Sequence, residues 1–138
     1  MTAIVDTSFL VSLINPREAS HTACIAVAET TRERLVIPQV VLPEATYLVD
    51  KYLGQTAMRA IVRQLLQATW SLEPLLEGDM ERVAAVLDQY RDQNVDFADA
   101  AIVAIAERLR VQRILTLDRR HFNLLRPRHC TAFEILPS

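Results

Sequence analysis

The stretch "VDFADAAIVAIAERLRVQRILTLD", residues 95–118, decides the fold. From Phe97 to about Arg110 its side chains are apolar on nearly every helical face, the pattern of a helix enclosed by protein. Asp96 precedes the first turn, where a short acidic side chain can accept from exposed backbone N–H groups and start the helix. The run "RILTL", residues 113–117, then reads as a short strand that stops at Asp118. A buried helix feeding a short apolar strand is one crossover unit of a parallel sheet, since such sheets are covered by helices on both faces.

The same alternation extends outward in both directions. "TAIV" (2–5) is β-rich and ends at Asp6, and "SFLVSLI" (8–14) has helical composition. Ser20 stands where it would cap a helix through "HTACIAVAETTRER", and "LVIP" (35–38) is a second strand. "QVVLPEATYLVDKYL" (39–53) is amphipathic; Pro43 is tolerable only near its first turn, and Gly54 stops it. Met58, Ile61, Val62, Leu65 and Leu66 have helical spacing within 56–69, followed by the strand "WSLEPL". A helix over 79–93 begins at Asp79, which looks like a plain cap. A basic loop and a last strand, "TAFEIL" (131–136), close the chain. The expectation is an α/β protein, a three-layer α/β/α sandwich around a mostly parallel sheet, with residues 1–138 forming a single domain.

Composition narrows the classes. A hydrophobic fraction of 51% with 23% charged residues describes a chain with a packed core. Its longest apolar runs are far too short for a bilayer, and the N-terminus lacks a basic leader, so a cytoplasmic protein without a membrane partner is expected. Two glycines cannot build a phosphate-cradling loop or a dinucleotide fingerprint. Cys24 and Cys130 have no zinc-type spacing and read as buried thiols. Net charge is −2 but unevenly spread: residues 1–107 carry 8 basic and 15 acidic side chains, whereas 108–128 carry seven arginines against Asp118. Arginine forks pair with phosphate oxygens, and Arg119 and Arg120 beside Asp118 are candidate grips for a nucleic acid. A solvated surface would give the same charge run.

Four or five carboxylates are expected on one rim. Asp6 and Asp118 each follow a strand, so both lie at the carboxyl edge where open α/β sheets bind ligands. Asp99 is one turn after Asp96, and Glu44 sits early in the helix after the second strand. Singly, each has a structural explanation: Asp6 and Asp96 as caps, Asp118 as a turn former. Together they would repel one another and call for a hard divalent cation, the composition of a phosphoryl-transfer site. His121 and His129 are candidate general acids, but a helix-end or surface position accounts for each. A haloacid-dehalogenase-like phosphatase would need an acid at position 8, which is Ser8, and a response-regulator receiver a late lysine, whereas the sole lysine is Lys51.

"IVDTSFLVSLI", a Glu in a helix after a Pro-terminated strand, "DFADAAIVAIAERL" and "RILTLDRRHF", in that order, resemble the PIN-domain nucleases, and among them the VapC toxins of toxin–antitoxin pairs. The resemblance implies a single PIN-like nuclease domain in which Asp6, Glu44, Asp99 and Asp118 form the catalytic, metal-binding quartet. Ser8 and Thr116 fall where the family has supporting hydroxyls; Asp96 is an extra acid or only the cap. It also implies Mg²⁺- or Mn²⁺-dependent hydrolysis of RNA, with a metal-bound water attacking phosphorus and the 3′ oxygen leaving. A homodimer and a cognate antitoxin lying across the active-site groove are implied as well. Pro43, immediately before Glu44, departs from the pattern and bears on the direction of Glu44. The alternative is a catalytically degenerate module of the same fold that only binds RNA or protein.

Overall fold

The computed structural model describes residues 2–67 and 69–138. Five strands form one all-parallel sheet: β1 (Thr2–Val5), β2 (Arg34–Pro38), β3 (Trp70–Glu73), β4 (Arg113–Leu115) and β5 (Glu134–Leu136). Their order is β3-β2-β1-β4-β5. The chain therefore runs outward from β1 in one direction, returns, and runs outward from β4 in the other. Strand order reverses between β1 and β4, and a crevice opens beyond the carboxyl ends of strands at such a point.

Among the described residues, seven α-helices connect the strands: α1 (Thr7–Ile14), α2 (His21–Thr30), α3 (Leu42–Leu53), α4 (Gln55–Gln64), α5 (Asp79–Gln89), α6 (Phe97–Leu109) and α7 (Arg119–Leu124). Right-handed crossovers put α1 to α4 on one face and α5 and α6 on the other, completing the expected α/β/α sandwich. In keeping with this, α1 packs on α2 and α3, α3 on α4, and α5 on α6. The core is built from Ile4, Val5, Val36, Ile37, Ile114 and Leu115 of the sheet, with Phe9 of α1 and Phe122 of α7. Every residue of α6 from Asp99 to Ala106 is buried. That enclosure explains its lack of a polar stripe and fixes the helix that carries Asp99 as a rigid support.

Local chemistry sets the remaining boundaries. A 3-10 turn over Gln39–Val41 precedes α3, and Pro43 lies in the first turn, where its missing N–H costs no intrahelical bond. Gly54 ends α3 and starts α4 at φ 93° and ψ 167°, a conformation open essentially to glycine alone. Helix α2 stops at Thr30, short of the expected Arg34, because Arg34 already pairs in β2; Ser20 flanks the helix without a side-chain capping bond. Helix α4 ends at Gln64, and of the expected extension to Thr69, Ala68 lies outside the described residues. The supposed basic loop contains α7, begun by Asp118, which accepts from the His121 N–H. Cys24 is buried as expected, whereas Cys130 is partly exposed.

Asp79 is not the cap of α5: Gly78 holds that position, and no side chain makes a capping bond there. Asp79 is the first residue of α5, accepts from the Leu76 N–H at 2.9 Å, and is gripped by Arg108 Nε at 3.0 Å. Arg108 also binds Glu73 at 2.6 Å and the Pro74 carbonyl at 3.0 Å, tying α6 to α5 and the end of β3. Replacing Arg108 with methionine keeps the aliphatic stem but leaves the buried Asp79 carboxylate without its countercharge. Stability should fall by about 2 kcal/mol, less than for a fully enclosed pair, as read from the urea midpoint.

Candidate active site

Asp6 and Asp118 lie directly across the strand-order reversal. Asp6 follows β1, and its N–H continues the ladder to the Leu115 carbonyl of β4 at 2.9 Å. Thr116 continues from β4, with its N–H on the Leu136 carbonyl at 2.9 Å, and Asp118 follows two residues later. Asp99 enters from the first turn of α6, whose N-cap is Asp96: the Asp96 carboxylate accepts from the Asp99 N–H at 2.9 Å. Glu44 comes from the first turn of α3. Asp6, Glu44, Asp96, Asp99 and Asp118, with Ser8, line one cleft of about 130 Å³. Asp6 and Asp99 are each only 7% exposed. Asp118 is half-buried, while Asp96 and Glu44 stand exposed on the rim.

A hydroxyl relay fixes the deepest acid. The fully buried Thr116 hydroxyl donates to Asp6 Oδ2 at 2.7 Å and accepts from the Asp118 N–H at 2.9 Å. Ser8 Oγ lies 3.2 Å from the Thr116 hydroxyl and 3.4 Å from Asp6 Oδ2, and accepts from the Leu117 N–H at 3.0 Å. The two hydroxyls thus lock the turn after β4 to the acid after β1. In Thr116→Val, the Asp6 oxygen keeps only the longer Ser8 contact and the Asp118 amide loses its acceptor. The cost should be about 1–3 kcal/mol in stability, with roughly a tenfold or larger loss of any activity that depends on Asp6, measured on the same preparation.

The electrostatics are those of crowded acids. Burial, then the charges of Asp96, Asp6 and Asp118, push the Asp99 pKa up to about 7. Burial likewise raises Asp6, against the lowering effect of the Thr116 hydrogen bond, and the Asp118 and Asp96 charges add to the rise. Such a set holds negative charge poorly by itself and is poised to receive a cation.

His121 stands in the last turn of α7, as a helix-end histidine, and it also belongs to this cluster. Its Nδ1 lies 2.8 Å from Asp118 Oδ2 and 3.8 Å from Asp99 Oδ2, and its Nε2 lies 3.1 Å from the Gln93 carbonyl. The hydrogen bond with Asp118 raises its pKa. The sequence held a signal for it: His121 is three residues after an acid that starts a helix, the same offset that joins Asp99 to Asp96. His129 lies elsewhere, its Nε2 against the Val111 carbonyl at 2.7 Å.

The arginine-rich segment does not form one basic surface. Arg108 is spent on Glu73 and Asp79, and Arg113 pairs with Glu33 and Glu134 at the opposite edge of the sheet. Arg119 and Arg120 are exposed in the first turn of α7, next to Asp118, with Arg119 donating to the Pro137 carbonyl at 2.8 Å. Phe97, 46% exposed, stands beside Asp96 at the start of α6.

The chain is similar in sequence and in fold to known proteins. The sequence is 37% identical over 134 residues to Ribonuclease VapC26 of Mycobacterium tuberculosis, covering 97% of this chain and 99% of that one. Among solved structures, Mycobacterium tuberculosis VapC20, titled a Sarcin-Ricin loop cleaving toxin, has a TM-score of 0.80 at 21% identity and covers 86% of this chain and 91% of its own. A chain of a toxin–antitoxin complex from Klebsiella pneumoniae matches with a TM-score of 0.66 at 21% identity, over 87% of this chain and 89% of that one. PIN domain sequences match residues 3–126, which takes in Asp6, Glu44, Asp99 and Asp118, and the chain belongs to the PIN domain family.

Proposed function

We propose that this chain is a divalent-metal-dependent endoribonuclease, the toxin of a toxin–antitoxin pair, with Asp6, Glu44, Asp99 and Asp118 as its catalytic acids. The observation that carries this is the convergence of carboxylates from four separate segments in one cleft at the strand-order reversal. The ribonuclease name of the 37%-identical relative supports the reaction class. The Klebsiella complex supports an antitoxin as partner.

The donor set fits a hard divalent cation. Its oxygens are carboxylates held close enough to hold Asp99 near pH 7, and Mg²⁺ or Mn²⁺ is the usual resolution of such repulsion. Asp6, Asp99 and Asp118 would hold the ion, with Glu44 reaching from the rim. A bound ion supplies charge neutralisation at the phosphate and acidifies water for attack. The chain's own residues do the positioning. Thr116 and Ser8 orient the Asp6 carboxylate, and Asp96 caps α6 so that Asp99 faces the cleft. Arg119 and Arg120 offset the acidic field and bind backbone phosphates as RNA crosses the rim, where Phe97 offers a face for base stacking. Water adds to phosphorus as the 3′ oxygen leaves.

Among the described residues no helix is long and apolar enough to cross a membrane. We assign the protein to the cytoplasm, as a homodimer restrained by its antitoxin. Exposed Tyr47, Tyr52 and Val62, with Leu66 at 81% exposure, supply apolar surface for assembly.

The test is cleavage of RNA by purified, antitoxin-free chain with Mg²⁺, Mn²⁺ or EDTA. Cleavage that requires the ion is expected; a folded chain that binds RNA but never cuts it with either ion is instead a binding module. In the same assay, Arg119/Arg120→Ala should weaken RNA binding and lower the slope of log affinity against log salt by about 1 to 2. An unchanged slope would remove both arginines from the interface.

A further inference from the structure

We propose that His121 is a nitrogen ligand of the metal site and biases it toward Mn²⁺ over Mg²⁺. This rests on the metal-dependent reading above and adds a donor to it.

Sequence and backbone set the geometry. Asp118 starts α7 by accepting the His121 N–H at 3.2 Å, and the three-residue offset brings the imidazole back over that same carboxylate. Nδ1 then faces Asp118 Oδ2 at 2.8 Å and Asp99 Oδ2 at 3.8 Å. One donor atom from each of Asp99, Asp118 and His121 falls within 4.8 Å of the others. An ion with ligands at about 2.1 Å separates neighbouring donors by about 3 Å and opposite donors by about 4 Å, and Nδ1 stands 2.8 and 3.8 Å from the two carboxylates.

The far side of the ring supplies an independent indication. Nε2 lies 3.1 Å from the Gln93 carbonyl, in the loop between α5 and α6. A carbonyl only accepts, so the ring's N–H is on Nε2, and in the neutral imidazole Nδ1 carries the lone pair. That lone pair faces Asp118 Oδ2 at 2.8 Å, with Asp99 Oδ2 3.8 Å from the same nitrogen. Metal-binding histidines characteristically donate their other N–H to a carbonyl or carboxylate, which fixes both tautomer and ring direction. In the ion-free chain a proton bridges Nδ1 and Asp118; an ion held there takes that proton's place. Mg²⁺ strongly prefers oxygen and gives up its waters reluctantly, whereas imidazole suits transition ions better.

The experiment is Mn²⁺ binding to the full chain, followed by calorimetry and by pulsed electron paramagnetic resonance. Nitrogen hyperfine coupling to bound Mn²⁺ is expected in the wild type and should vanish in His121→Gln, which can still hydrogen-bond to Asp118. The same substitution should lower the Mn²⁺/Mg²⁺ affinity ratio by roughly tenfold or more. Mn²⁺ bound without nitrogen coupling in the wild type, or an unchanged ratio in the variant, overturns the ligand role while leaving the metal site standing. Failure to bind Mn²⁺ at millimolar concentration overturns both the ligand role and the metal-dependent reading.

Discussion

Asp99→Asn is expected to lower RNA cleavage by at least about 10³-fold, some 4 kcal/mol of transition-state stabilisation, while making the ion-free protein more stable at pH 8. The two effects have one cause. Asp99 is buried to 7% exposure at the mouth of a helix that is enclosed from Asp99 to Ala106, so its carboxylate can neither retreat to solvent nor swing away. Burial and the charges of Asp96, Asp6 and Asp118 hold its pKa at about 7. Asparagine has the same shape, no charge, and leaves the backbone N–H of residue 99 on the Asp96 carboxylate, so the start of α6 is preserved. What disappears is the anionic oxygen facing Asp118 and His121. Single-turnover rates with saturating Mn²⁺, set beside denaturation midpoints in EDTA, test both halves. A variant that keeps a tenth of the wild-type rate, or that is less stable than wild type at pH 8, would remove Asp99 from the metal site.

The residues that reveal the site in the sequence are those whose spacing is local or whose strand ends are unambiguous. Asp6 and Asp118 follow short β-rich runs, and parallel pairing then leaves no freedom about which edge they occupy. Asp96 and Asp99 declare themselves by an i, i+3 offset before an apolar helix, and the division of labour is visible: Asp96 makes the capping bond and Asp99 faces the cleft. What the sequence hid depended on partners far along the chain. Asp79 looks like an ordinary cap because its countercharge, Arg108, is 29 residues away on another helix. The arginines of 108–128 look like one basic stripe, yet a helix, a strand and a second helix within that span send them to opposite edges of the sheet. His121 reads as peripheral in the sequence because α7 is only six residues long and gives almost no periodic signal. Its contact with Gln93 joins α7 to the loop before α6, which composition alone does not bring together.

Adding Mn²⁺ at about 100 times its dissociation constant should stabilise the protein by about 2.7 kcal/mol, and the gain should be clearest above pH 7. The sign follows from the folded-state pKa values. Asp99 titrates near 7 in the fold against an ordinary value of 3.8, and Asp6 is raised in the same direction. Between those values the native state keeps a proton that the unfolded chain has released, so stability falls as pH rises through the window. Each pH unit there costs at most about 1.4 kcal/mol per group, and partial solvent access reduces this to a total on the order of 2–3 kcal/mol for Asp99. Glu107 opposes the trend. Burial acts to raise its pKa, but hydrogen bonds from Arg82 and the Arg128 amide outweigh it and hold the carboxyl below its ordinary value. Its contribution is present above the ordinary Glu range and is lost as pH falls through the lowered pKa. The ion-free protein should therefore be most stable in acidic solution and weaken as pH rises toward and through 7. A cation among the acids removes the reason for holding the proton, so it should flatten the alkaline limb and raise Tm by roughly 5–10 °C at pH 8. Calorimetry at pH 5.5, 7 and 8.5, in EDTA and in Mn²⁺, measures both limbs. In Asp99→Asn the share of the fall that Asp99 produces and most of the Mn²⁺ gain should vanish together, leaving the Asp6 share of the fall; a Mn²⁺ gain of equal size in wild type and variant would place the ion away from this cleft.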